Sequence, residues 1–180
     1  MMGPKTMEMS VAVDDRTLVG EWLARLRDPD DPVAGMNELT AARLAHALNT
    51  GRGRDMMVVS LLNPTLDADG LCAVMRAGGE PIMSEVTLFE QLRNGPLMQA
   101  VDGRDPDPKR LYNADRILDA LGRTHPECLG EARGLMLLIA WLAGARDRAD
   151  ALIAVTPRNI YRAVVEGALM LEDRDVATAA

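Results

Sequence analysis

Gly130-Glu-Ala-Arg-Gly-Leu-Met-Leu-Leu-Ile-Ala-Trp-Leu-Ala-Gly-Ala145 is the most apolar segment of the chain, and its reading decides the fold. Leu135, Leu138, Ile139 and Leu142 fall on one helical face, while Met136, Leu137, Ala140 and Trp141 cover much of the remainder. A helix that is apolar nearly all round is a buried one. Its uncharged run is 12 residues, between Arg133 and Arg146, short of the roughly 18 or more that cross a bilayer. The segment therefore predicts a central core helix against which neighbouring helices pack. Leu138, Trp141 and Leu142 are its expected core anchors, joined by Trp22 from the first helix. On that basis Trp141→Ala is expected to cost roughly 3–5 kcal/mol.

Outward from this helix, apolar spacing and punctuation lay out the rest. Met7, Met9, Val11 and Val13 alternate, a period of two that suggests a strand. Such an N-terminal arm (1–13) is disordered, paired within a small sheet, or paired with a second subunit. Asp14 or Asp15 caps a first helix to about Arg27, burying Leu18, Trp22 and Leu26, and Asp28-Pro29 stops it. A second helix spans about Asn37 to Asn49. The stretch from Arg54 to Asn63 reads as a third helix or a buried strand, because Met56-Met57-Val58-Val59 suits either. Asp67 caps a fourth helix to about Ala77, and Ser84 a fifth with Val86, Phe89 and Leu92 inward. Pro108 opens a sixth that buries Leu111, Ile117, Leu118 and Leu121. After the central helix come a short one, Arg146 to Val155, and a last one opened by Thr156-Pro157. Residues 173–180 are expected to fray.

The fold expected is all-α and single-domain: a multi-helix bundle or a right-handed stack of α-α hairpins over 14–172, with a short N-terminal strand left open. Short loops between the predicted helices favour antiparallel hairpins. Composition agrees, since the 180 residues are 48% hydrophobic but only 3% aromatic. Such a chain can bury a core, and its Ala, Leu, Met and Arg favour helix over sheet. Eighteen of the twenty basic residues are Arg, a bias that suggests a GC-rich bacterial genome. The net charge of −7 argues against a general nucleic-acid binder, which carries a basic footprint. Two cysteines, Cys72 and Cys128, are too few for a disulfide framework and fit a reducing cytoplasm. Met1 to Ser10 lacks the apolar run of a signal peptide.

Two resemblances attach to particular residues. Leu39-Thr-Ala-Ala-Arg-Leu-Ala-His-Ala-Leu-Asn49 with Arg52-Gly-Arg-Asp55, then Ile117 to Pro126, Leu138 to Ala143, Ala149 to Ile153 and Pro157 to Ala163, are similar to part of a bacterial protein family. That part is the C-terminal helical half of a domain of unknown function from high-GC bacteria, and the likeness covers about 120 residues of the chain. The chain lacks the α/β half that precedes it there, and Gly144-Ala-Arg-Asp-Arg148 stands where a Gly-Asp-Gly-Ala turn is expected. This resemblance implies no catalytic residue and no known activity. Trp141, Gly144, Ala149, Ile153 and Pro157 also resemble one degenerate tetratricopeptide unit.

Candidate chemistry is sparse. Gly51-Arg52-Gly53-Arg54 precedes the expected third helix, where backbone donors and the helix dipole favour an anion. The Gly-Lys-Ser/Thr of a phosphate loop is absent, so a plain Gly/Arg turn is the competing reading. Asp67-Ala-Asp-Gly70 resembles a calcium loop, but Arg76 falls where a bidentate glutamate belongs, leaving a helix cap. Asp102, Asp105 and Asp107 form an acidic loop without a ligand pattern. His125-Pro-Glu-Cys128 pairs an imidazole with a thiol, yet His46, Cys72, His125 and Cys128 match no zinc spacing. The segment Thr40 to Asn63 could pass for a helix-turn-helix, but its second helix is too apolar to read base edges.

The leading expectation is thus a non-catalytic, cytoplasmic interaction module that binds another protein or a second copy of itself, with no cofactor and no metal. The alternative is a small anion- or nucleotide-binding regulator using Gly51 to Arg54, with Arg158 as a further cation. An enzyme would need a cleft around His125, Cys128 or an acid pair.

Overall fold

The computed structural model describes residues 14–77 and 106–179. The N-terminal arm, the fifth predicted helix with its Ser84 cap, and Asp102 and Asp105 lie outside the described residues. Eight α-helices are present among the described residues: α1 Asp15–Leu26, α2 Glu38–Leu48, α3 Gly51–Leu62, α4 Ala68–Ala77, α5 Pro108–Thr124, α6 Leu129–Leu142, α7 Arg146–Val155 and α8 Ile160–Ala179. A single 3₁₀ turn, Pro126–Cys128, leads into α6. No strand occurs among the described residues. The protein is an all-α multi-helix bundle, and none of its described helices is long and apolar enough to cross a membrane.

Local chemistry sets the boundaries. The Asn37 side chain accepts from the Thr40 amide (2.8 Å) and starts α2. The Asp107 carboxylate accepts from the amides of Lys109 and Arg110 beside a first-turn proline and starts α5. Asp67 accepts from the Gly70 amide (2.9 Å), so the calcium-like tetrapeptide serves as the cap of α4. Gly144, at φ 67°, turns the chain between α6 and α7, a backbone state open to glycine without a Cβ penalty.

Packing falls into two groups. In the first, α3 lies against α2 and α4, and α1 lies against α2 and α4. In the second, α6 contacts α5, α7 and α8. The long α5 joins the groups by packing on α1 and α2 as well as α6, and one apolar core runs through both. Buried Asn113 on α5 donates to the carbonyls of Leu26 (3.0 Å) and Asp28 (2.8 Å), tying α5 to the end of α1.

The starts of two helices differ from expectation. The stretch read as helix or strand from Arg54 is helical and begins earlier, at Gly51. Thr50 accepts from the Gly53 amide (3.1 Å) and donates to the Ala47 carbonyl (2.9 Å), so the cap outweighs two poor helix formers in the first turn. Thr156-Pro157 does not open the last helix. That helix starts at Ile160, with the Asn159 side chain accepting from the Arg162 amide (3.0 Å). It runs to Ala179.

The anchors divide. Trp22 is fully buried and Leu138 nearly so, but Trp141 and Leu142 are only half-buried at the edge of the core. They sit in the last turn of α6, where the short α7 turns back and covers little. α3 is instead the second helix buried on several sides, with Met56, Met57, Val58, Ser60, Leu61 and Leu62 all inside.

Candidate interaction surfaces

Gly51 to Arg54 form the first turn of α3 rather than a free turn, and their donors are largely committed. The Gly53 amide is held by Thr50, and a Cβ at Gly53 would run into the Ala47 carbonyl. Gly53 is thereby what lets α2 and α3 meet so closely. Arg54 donates to the Leu48 carbonyl (3.0 Å) and lies 3.6 Å from the Glu131 carboxylate. It also touches Tyr161, whose phenol burial pushes well above its ordinary range. Arg54 thus links α3 to α6 and α8, which takes it away from an incoming anion.

Cys128 and His125 do not assemble a nucleophile. The Cys128 thiol is buried and pushed up to about 11, first by burial and then by Glu127, so it stays protonated near neutrality. His125 Nδ1 lies 3.3 Å from the Glu127 carboxylate at the surface. Cys72 is also buried and its thiol raised by the same cause. No cluster of three or more His, Cys, Asp or Glu able to hold a metal is present among the described residues. The presumed recognition helix of a helix-turn-helix is α3, most of which is buried, and its uncovered strip of Arg52, Asp55 and Val59 offers a single cation beside an acid and an apolar residue.

Two features that sequence reasoning did not single out are brought together around α7. The first is α7 itself. Ala149 is its only fully buried residue. Leu152 and Ile153 reach the core in part, and Val155 is 52% exposed. Arginines hold the far end of α7. Arg133 donates to the Val155 carbonyl (3.2 Å) and Arg162 to that of Thr156 (2.7 Å). Met170 on α8 is 66% exposed, and its neighbour Leu169 meets Trp141, Gly144, Arg146 and Ala149 in a small notch.

The second is a groove of about 510 Å³ between the start of α5, the end of α6 and the start of α7. Pro108, Leu111, Ile139, Leu142 and Ala143 give it apolar walls. Asp115 and Arg148 meet at its side, where one terminal guanidinium nitrogen lies 2.6 Å from both carboxylate oxygens. Burial raises the Asp115 carboxyl, and Arg148 opposes that shift. The sequence signal for this groove is weak, because its polar residues are some thirty positions apart.

No protein-family model, curated protein or solved structure matches this chain. The two resemblances therefore rest on the residues quoted for them.

Proposed function

We propose that this protein is a non-catalytic helical interaction module whose docking face is α7, with half-buried Trp141 at one end and Val155 at the other. The observation that carries the proposal is the single fully buried residue of α7. A ten-residue amphipathic helix in a closed bundle buries a stripe of its own side chains. Here Leu152, Ile153 and Val155 keep apolar surface in contact with water, and such surface marks binding sites when it is contiguous. The partner is another protein or a second copy of this chain. The buried, protonated Cys128 thiol and the carboxylate-bound Arg148 support a binding role over a chemical one. Two free, buried cysteines fit residence in a reducing cytoplasm.

Light scattering across a concentration series tests self-association, and a photoreactive side chain at position 155 tests capture of another protein in a cell extract. The proposal expects concentration-dependent mass or a specific adduct at 155, either one abolished by Ile153→Asp. A strict monomer that also gives no adduct at 155 beyond that at exposed, polar Arg123 would overturn it.

A further inference from the structure

We propose that the groove between α5, α6 and α7 binds a small amphiphilic carboxylate, with its apolar body along Leu111, Ile139 and Ala143 and its carboxylate at Arg148. The site is distinct from the outer face of α7. Its volume of about 510 Å³ and its mainly apolar walls fall within the range of small-molecule sites, which add a few polar groups that fix orientation.

Charge decides the sign of the head group. Both Asp115 oxygens are taken by the same Arg148 nitrogen, and the Asp115 side chain is only 15% exposed. A ligand cation would find that carboxylate already neutralised and mostly covered. Arg148 is the other half of the same pair but is less covered and keeps donors to spare. Its side chain is 49% exposed, and its Nε and other terminal nitrogen make no hydrogen bond among the described residues. A guanidinium presents its donors as a planar fork that matches a carboxylate edge.

A further donor, Tyr112, lines the same groove. The Tyr112 hydroxyl accepts from Arg116 (3.2 Å), which leaves its own O–H to donate. The Lys109 ammonium lies 5.4 Å from the Tyr112 ring centre, outside the groove lining itself. Ala145, the N-cap residue of α7, lines the groove too, and no side chain caps that helix start. A carboxylate there also meets the favourable end of the α7 dipole.

Titration calorimetry of the full chain with decanoate, below its micelle-forming concentration, tests the proposal against decan-1-ol and decylamine. Decanoate is expected to bind at one site, about tenfold or more tighter than either control, as the loss of one charge-assisted contact implies. Ala143→Phe, which fills the groove from a partly open helix end, is expected to abolish binding while circular dichroism stays unchanged. Arg148→Lys is expected to keep charge but lose the fork, weakening decanoate about threefold to tenfold. Absence of decanoate binding would overturn the proposal. So would equal binding of decylamine or decan-1-ol, or decanoate binding that survives Ala143→Phe. Should Arg148→Lys fail to fold, the three ligands and Ala143→Phe still decide the matter.

Discussion

Trp22 and Trp141 both sit on helices that belong to the core, one within its helix and one in the last turn, and their surroundings differ in kind. Trp22 on α1 is enclosed, and its indole N–H donates to Ser60 on α3 at 2.8 Å. Ser60 in turn donates to the Met57 carbonyl (2.6 Å), so the one polar atom of the buried ring is satisfied through a short relay. Trp141 closes α6 where the chain is about to reverse, and among the described residues it borders a small notch with Gly144, Arg146 and Ala149 around α7 and Leu169 of α8. The group α1 to α4 encloses its aromatic residue completely and satisfies its polar atom. The group α5 to α8 leaves its own at a margin. A closed region tells how the fold holds, and an open one tells where a partner can add surface.

That contrast can be broken by mutation, beginning with its strongest expectation. Trp22→Ala should destabilise by about 3–5 kcal/mol, since it empties a filled site and removes the donor that Ser60 accepts from. Urea unfolding measures this, and a loss near that of an exposed residue would deny the closed region its centre. Gly53→Ala comes next, at about 1–3 kcal/mol, because the new methyl must push α3 away from the Ala47 carbonyl. The same unfolding assay reports it, with a larger effect expected than for Gly20→Ala, where a Cβ meets open space.

Trp141→Ala should cost less, about 1–2 kcal/mol, in proportion to the surface it actually removes from water. This replaces the larger figure that the sequence suggested. Smallest is Asp55→Asn. Burial, partly offset by Arg54, holds the Asp55 carboxyl above its ordinary range. The folded state therefore holds that proton more tightly than the unfolded chain, and stability is lost as pH rises through the folded pKa. Asp55→Asn should raise the urea midpoint slightly at neutral pH, and the gap should close once pH falls below the unfolded carboxylate range. A gap that widens in acid would reverse the sign of this account.

Much of the helical layout was legible because Pro, Gly and capping residues punctuate the chain. Asn37, Asp67 and Asp107 each cap the helix that follows. The central burial of α6 was legible for the same reason that its edge was not. Periodicity shows that Leu135, Leu138 and Trp141 are apolar, but how far each is covered depends on the length of α7, a tertiary property. α3 was harder, because Met56-Met57-Val58-Val59 lacks a one-sided period and Gly51 and Gly53 weaken the helix start. Only the Thr50 cap marks its true beginning. The groove was hidden for a plainer reason. Asp115 and Arg148 face each other across 33 positions of chain, and a pairing at that distance leaves no local pattern.

The most direct test of the closed and open regions is acrylamide quenching of two single-tryptophan variants, Trp141→Phe and Trp22→Phe, since the chain holds only these two indoles. Trp22 should emit at short wavelength and resist quenching, whereas Trp141 should emit further to the red and be quenched several times more efficiently. Equal quenching of the two, or a Trp141 better shielded than Trp22, would contradict the account.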